Sequence, residues 1–429
     1  VVKVRNLLSV NLLLSCKAVK GGFSIHWCWI VLAAGFYTVF MAYGIRFSYG
    51  ILLPAMIREL GITTTEAGLI YSGYFLAYAF FAPIVGTLTD RVGGRRVVAL
   101  FCVVLGVGAL MMGLINRWQT GFTSALIMGV GASATWTPIV ALVSKWFGVK
   151  RRGRALGILT SGYGWGFGVM GILIPLIVAS YGWRYCWYSL ALMALSAALI
   201  NALLLRSKPE ELGLKPYGWT SEDVGGMVSP GRINYRSIVR EAGFWLIGAS
   251  YFAISFATYI AMLYTVSYVN LELDVEYVVA AVLMSVVAFS GIPGGLIIPT
   301  LSDYLGRRGT MAVCNAVVAF TLISFVSVGS NLHVLIGIAA LYGAFYSAIW
   351  PIYAAYAADY FSREAAGTVV GLWTVNYGIG AMTGSAVAGY VRDVTRTFFW
   401  SFTLASLMAG LSVALILVSK LKKRVKDSH

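Results

Sequence analysis

The sequence predicts an all-α integral membrane protein with twelve transmembrane helices in two pseudo-symmetric six-helix bundles. Three observations carry this. Hydrophobic residues make up 59% of the 429-residue chain and charged residues only 11%, against about a quarter charged in a soluble domain. Apolar runs of about 18 residues or more, enough to cross a bilayer, recur along its length. A short basic loop also occurs twice. The first copy is Gly86-Thr87-Leu88-Thr89-Asp90-Arg91-Val92-Gly93-Gly94-Arg95-Arg96. The second, 213 residues on, is Pro299-Thr300-Leu301-Ser302-Asp303-Tyr304-Leu305-Gly306-Arg307-Arg308-Gly309. Each copy follows one long apolar run and precedes another. A duplicated membrane unit of this kind is the usual architecture of secondary transporters.

Charged or Gly/Pro-rich breaks divide the chain into spans at 27–56, 67–89, 97–115, 121–146, 155–179 and 184–205, then 243–269, 277–299, 310–328, 333–358, 366–391 and 398–419. These are numbered 1 to 12 below. The halves match beyond the loop. Trp136-Thr137-Pro138-Ile139 faces Trp350-Pro351-Ile352, with the prolines again 213 apart. Gly153, Gly157, Tyr163-Gly164 and Gly166 match Gly367, Gly371, Tyr377-Gly378 and Gly380 at 214, so one residue was inserted near 148–152. The bundles are therefore expected at 26–205 and 241–419. The long polar stretch 206–240, rich in Gly, Pro and charge, reads as the linker between them.

Basic residues set the orientation. With the N-terminus in the cytoplasm, the outer loops hold only Arg58, Arg117, Arg184, Arg392 and Arg396. The other loops, the linker and both tails (1–25 and 420–429) hold the rest, Arg46 excepted. Both termini are thus expected in the cytoplasm of a multi-pass protein of the inner (plasma) membrane. The net charge of +16 then reflects topology and attraction to anionic lipid. Nucleic acid is not an expected partner, because the charge is spread over many short loops.

The linker has no nucleotide-binding Gly loop and no Walker-type Lys, which argues against ATP-driven pumping. No His/Cys/Asp/Glu cluster stands at membrane depth or in a loop to make an enzyme centre, and no cofactor or metal is expected. Cys16, Cys28, Cys102, Cys186 and Cys314 lack metal-type spacing and read as small hydrophobes. Leu12-Leu13-Leu14-Ser15-Cys16 faintly resembles a lipoprotein cleavage site. Its apolar stretch is short, so residues 1–25 are read as an uncleaved tail.

The Asp90 and Asp303 loops resemble the signature loop of the major facilitator superfamily, between helices 2 and 3 and again between 8 and 9. Gly94 stands where an Arg is common, and Pro299 and Tyr304 replace a Gly and an Arg in the second copy. The stretch from Gly157 to Gly171 with Pro175 is similar to that superfamily's fifth helix. Within it, four stretches look like the bacterial monocarboxylate-porter and oxalate/formate-antiporter group. They are Tyr43 to Gly50, Lys145-Trp146-Phe147 leading to Gly157, Gly182-Trp183-Arg184, and Pro209 to Leu214. That group often carries a basic residue in helix 8 or 11, and this chain has none in either. The resemblance implies a monomeric, proton-linked symporter of a monocarboxylate, working by alternating access between its bundles.

Arg46 is the one Arg or Lys well inside a span. A guanidinium in hydrocarbon is costly and faces a cavity or a partner. At ~1.5 Å per residue it lies about 28 Å from the cytoplasmic end of span 1, somewhat outside the midplane. No carboxylate stands near mid-depth to neutralise it, so it reads as an anion anchor. Snorkelling to the outer interface is the alternative. Three- and four-residue steps put Tyr43 and Tyr49 beside it. Asn376 stands out as the Asn well inside a span, flanked by Trp373 and Tyr377, and it replaces Gly162 of the first half. Trp136, Tyr163, Tyr346 and Trp350 are further candidates, with Tyr259 equivalent to Arg46 by the 213 shift. The resemblance places helices 1, 4, 7 and 10 around the cavity. Aromatic walls with one cation suit a small organic anion better than a sugar.

By the same resemblance, Asp90 is expected to touch the start of helix 11 and Asp303 the start of helix 5, where a carboxylate is stabilised. Arg91, Arg95, Arg96, Arg307 and Arg308 would complete this cytoplasmic gate. No Asp, Glu or His lies at mid-membrane, so the residues themselves supply no proton site, and exchange or facilitated diffusion stays open. The expected function is transport of a small organic anion, with a proton as candidate co-substrate. Exchange of dicarboxylates or organophosphates, or export of amphipathic compounds, are the alternatives.

Overall fold

The computed structural model describes residues 26–219, 235–361 and 363–419. The expected tails 1–25 and 420–429 and the middle of the linker lie outside the described residues. The predicted spans form the helices Trp27–Leu60, Thr64–Val92, Gly94–Gly113, the pair Trp118–Ala132 and Thr137–Trp146, Val149–Tyr181 and Trp183–Leu204 in the first half. The second half has Ala242–Leu271, Tyr277–Leu305, Arg307–Ser327, Leu332–Tyr360, Arg363–Thr395 and Phe399–Val418. Among the described residues, eleven spans are long and apolar enough to cross a membrane. The twelfth, span 11, has 33 residues, and its Gly, Thr and Asn dilute its apolar character.

Local chemistry explains the helix ends. Span 2 starts on a capping box, with Thr63 and Glu66 each bonding the other's backbone N–H. The two repeated loops turn at equivalent glycines, Gly93 at φ 92° and Gly306 at φ 90°. A side chain there would be strained, so the glycine belongs to the repeat for a backbone reason. Span 4 departs from the continuous helix expected: it breaks between Ala132 and Thr137. Pro138 has no N–H to bond the preceding turn, and its ring crowds it. The equivalent Pro351 sits inside an unbroken helix, so the halves differ here.

Packing repeats the duplication. Span 1 lies against 5 and 6, span 2 against 4, and span 3 against 4 and 6. Spans 7 to 12 repeat the same neighbours. The halves meet where span 1 touches 7, span 2 touches 11 and span 5 touches 8. Spans 1 and 7 are the most enclosed, and Arg46 lies about halfway along the 34-residue span 1. It lies nearer the middle of this helix than of the predicted span, because the helix continues to Leu60.

The contacts between halves crowd onto the face opposite the linker, the far face. A Cβ on Gly50 would stand 2.4 Å from the Met262 carbonyl oxygen, and one on Gly68 2.3 Å from that of Ser385. Only glycine permits so close an approach of two backbones. On the linker side of Ala79 and Gly378, which still touch, no hydrogen bond or ion pair joins spans 2 and 11 among the described residues. A Cβ on Gly157 or Gly371 would meet nothing there. The two halves are closed on the far face and open on the linker face.

Candidate functional site

Span 1 carries Arg46 into the centre of the molecule, where the side chain is 6% exposed. Its Nε donates to the Tyr74 hydroxyl at 3.0 Å. The terminal nitrogens make no hydrogen bond, and the side chain has no ion pair, among the described residues. Aromatic rings enclose the charge. The guanidinium carbon lies 4.8 Å from the ring centre of Tyr78, 4.9 Å from Tyr43, 5.2 Å from Tyr74 and 5.6 Å from Phe75. Ring faces attract a cation and partly replace its lost water. This enclosure rules out snorkelling to an interface.

The rings continue outward from Arg46 in both directions. Tyr43 packs on Tyr163 at 4.7 Å and on Trp136 at 6.1 Å. Phe75 reaches across to the second half, to Tyr259 at 4.6 Å and Tyr377 at 6.2 Å. Tyr377 continues to Trp350 at 5.1 Å, and Trp350 to Tyr346 at 5.9 Å. The structure thus gathers Arg46, Tyr43, Trp136, Tyr163, Tyr259, Tyr377, Trp350 and Tyr346 into one aromatic assembly spanning both bundles. The broken part of span 4 delivers Trp136 to it.

The repeat makes the polar ends informative. Tyr259 is equivalent to Arg46, and Tyr377 to Tyr163. In the second half the Tyr259 and Tyr377 hydroxyls bond each other. In the first half the equivalent pair is open. The Tyr163 hydroxyl is buried and faces the Tyr346 hydroxyl, with no well-formed hydrogen bond among the described residues, and Arg46 has turned its Nε to Tyr74. One half closes on itself where the other leaves the terminal nitrogens of Arg46 without a bond among the described residues.

Three expected site residues lie elsewhere. Tyr49 stacks on Tyr71 at 5.3 Å, and its hydroxyl donates to the Ala67 carbonyl at 2.9 Å, fastening span 1 to span 2. Trp373 is fully buried and donates to the Phe244 carbonyl at 3.1 Å, fastening span 11 to span 7. Asn376 is half-buried against Gly248 of span 7, with no hydrogen bond among the described residues. Nor is it the one Asn deep in a span. Asn201 and Asn315 are wholly buried. Asn201 bonds Thr38, and Asn315 bonds Tyr353 and Ser412, so both tie helices together within one bundle. The sequence also missed Tyr74, Phe75 and Tyr78. Tyr71, Tyr74 and Tyr78 form a stripe at helical spacing, but nothing local says that this stripe faces span 1.

The loop residues act inside their own halves in this state. Arg95 donates to the Ala202 carbonyl at the end of span 6 (Nε at 2.9 Å), and Arg308 to the Ile416 carbonyl at the end of span 12 (3.0 Å). These contacts are repeat-equivalent, and a cation favours the carbonyl end of a helix. Arg307 pairs with Asp303 and, at 3.1 Å, with Asp359. Asp90, Arg91 and Arg96 are exposed. The expected latch belongs to the state closed on the linker face; in the present state helix-end carbonyls and a nearby carboxylate take Arg95, Arg307 and Arg308.

Comparison with known proteins agrees with this architecture. The chain is 21% identical over 390 residues to the probable sulfoacetate transporter SauU of Cupriavidus necator, covering 87% of this chain and 89% of that one. It is 25% identical to the hexuronate transporter of Bacillus subtilis (86% and 88% covered) and 24% identical to monocarboxylate transporter 13 of Rattus norvegicus (91% and 89%). Among solved structures it resembles a bacterial homolog of the human lysosomal transporter Spinster, at TM-score 0.69 and 15% identity, over 92% of this chain and 96% of that one. It also resembles the nucleoside transporter NupG, at 0.74 and 14%, over 92% and 99%. The Major Facilitator Superfamily matches residues 35–330 and 297–429. With its duplicated six-span halves and glycine-turned basic loops, the chain belongs to the major facilitator superfamily.

Proposed function

We propose that this protein is a secondary transporter of small organic anions, with a monocarboxylate as the preferred substrate. One observation carries the reading: a guanidinium enclosed by aromatic rings whose two terminal nitrogens have no hydrogen-bond partner among the described residues. A buried cation without a counterion is costly, and a carboxylate oxygen pair fits the unused edge of a guanidinium. Tyr163 adds a second donor beside Tyr43. Trp136, Tyr259, Tyr346, Trp350 and Tyr377 supply apolar wall with polar edges. The similarity to sulfoacetate, hexuronate and monocarboxylate transporters supports an organic-anion substrate.

The protein alternates between a state open to the linker face and one open to the far face. The linker face is cytoplasmic, with both termini on that side, and the membrane is the inner (plasma) membrane. Residues 26–205 and 241–419 move as the two bundles about the 206–240 linker. Asp90 and Asp303 hold the linker face shut in the other state, and a monomer suffices. Proton-linked symport is the favoured coupling. With no titratable carboxylate or imidazole at mid-depth, the charge of the substrate itself meets Arg46.

The test is thermal stabilisation of the purified protein by lactate, pyruvate, oxalate and glycerol phosphate, in wild type and Arg46→Ala. A ligand of the folded state raises the melting temperature. Stabilisation by a monocarboxylate that Arg46→Ala abolishes supports the reading. Equal responses of the two proteins, or uptake unchanged by the substitution, would sink it. A response confined to oxalate or glycerol phosphate turns it to the dianion alternative.

A further inference from the structure

Asp393 stands at the far-face end of span 11, outside the substrate site and in neither repeated loop. Its carboxylate crosses from the second bundle to the first. There it accepts the backbone N–H of Thr64 at 3.1 Å, the backbone N–H of Thr65 at 2.7 Å and the Thr65 hydroxyl at 2.6 Å. These are the first residues of span 2, a 29-residue helix. Helix-start N–H groups have no partner within their own helix, and the positive end of the dipole favours an anion. A carboxylate of the opposite bundle supplies both needs at once. Bonds to an ionised acceptor are the stronger class.

The surrounding backbone is built around this contact. The Tyr264 hydroxyl of span 7 donates to the carbonyls of Thr64 and Ser385, at 3.2 Å and 2.8 Å, and so touches both sides of the seam. A Cβ on Gly389 would stand 2.3 Å from the Thr64 carbonyl oxygen. Arg392 lies 3.7 Å from Asp393 and 3.9 Å from Glu272, which holds the acidic end of span 11 within its own bundle. Across the molecule, where span 5 meets span 8, the closure is neutral: the Ser285 hydroxyl donates to the Gly168 carbonyl at 2.7 Å. Asp393 thus makes an anion-to-helix contact on the 2–11 side of the far face, while Arg58 at the end of span 1 makes a second charged bridge between the bundles, donating to the Asn270 amide oxygen at the end of span 7 at 3.0 Å. The antiparallel spans 2 and 11 part on the linker side while this contact holds their far ends together.

We infer that Asp393 is the latch of the far face: its carboxylate, seated on the N-terminus of span 2, selects the state open to the linker face. Opening the far face must withdraw it from Thr64 and Thr65 and expose all three donors to water. This goes beyond the substrate assignment and needs only that the halves alternate.

Spin labels at Arg117 and Ser330, exposed in far-face loops of opposite bundles, report the opening directly. The four described native cysteines are buried and compete little for the label. Asp393→Ala is expected to move the distance distribution toward longer values, with roughly a tenfold rise in the far-face-open fraction. Thr65→Val removes one of the three donors and leaves the helix intact, so a smaller shift in the same direction is expected even if Asp393→Ala folds poorly. Variants that keep the wild-type distribution overturn the latch. A wild-type distribution that spans both distances supports alternation whatever the variants do, so the two ideas fail separately.

Discussion

Arg46 donates a hydrogen bond from Nε to the Tyr74 hydroxyl at 3.0 Å, and that bond decides which edge of the guanidinium is left for a ligand. Tyr74 and Arg46 come from consecutive helices of one bundle, so the bond itself does not cross to the other half. The ring of Tyr74 also lies 5.2 Å from the charge.

Tyr74→Phe keeps the ring and removes the acceptor. Loss of one hydrogen bond to a charged group is worth about 1.5–3 kcal/mol. Anion affinity is expected to fall about tenfold or more while expression and fold persist. Isothermal titration with the best ligand of the panel measures it, and an unchanged Kd would show that the rings alone hold Arg46.

Arg46→Lys keeps the charge and discards the planar fork. Two parallel N–H donors become a flexible point charge, so bidentate binding is lost. Transport in proteoliposomes is expected to fall by about a hundredfold. Activity close to wild type would mean that charge, not geometry, binds the substrate.

Tyr163→Phe and Tyr377→Phe separate the open pair from the closed one. The Tyr163 hydroxyl is buried and approaches the Tyr346 hydroxyl without a well-formed hydrogen bond among the described residues, so its removal should change the melting temperature little while weakening the ligand. Tyr377→Phe breaks the bond to Tyr259 and should cost about 1 kcal/mol of stability. Paired melting curves with and without ligand distinguish them, and the reverse pattern would overturn the assignment.

Gly68→Ala tests the far-face seam. The added methyl would meet the Ser385 carbonyl at 2.3 Å, which no backbone tolerates without moving. Overpacking of this kind costs about 1–3 kcal/mol. Because only the closed far face carries that contact, the label pair should report more of the open state. A distribution identical to wild type would place the seam elsewhere.

The Asp393 contact also sets a pH expectation. Burial pushes its carboxyl up, but hydrogen bonds from Thr65 and Thr64 outweigh this and hold it below its ordinary value. A carboxylate held low when latched stabilises closure above its ordinary pKa, and that contribution is lost as pH falls through the lowered value. Arg392, Glu272 and Tyr264 are the titratable neighbours. Far-face closure should therefore be flat from about pH 5 to about pH 8 and weaken only in stronger acid. A step near neutrality in the label distances would assign the control to another group.

The sequence by itself determined the duplication, the spans and the cation within span 1. Each is written in local composition: apolar length, a repeated loop that must turn at positive φ, and one Arg in hydrocarbon. It also supplied Tyr43, Tyr163, Tyr259 and Tyr377, because the repeat and helical spacing pick them out. It misplaced Tyr49 and Trp373, whose polar atoms bond backbone carbonyls of neighbouring spans, and it did not see Tyr74, Tyr78 or Asp393. Those roles depend on which helix faces turn toward each other. Tertiary structure alone decided that Tyr74 meets Arg46 and that Asp393, 329 residues from Thr64, closes one face of the molecule. The physical reason is range: hydropathy and turn chemistry act within a few residues, while a hydrogen bond between bundles exists only once both are packed.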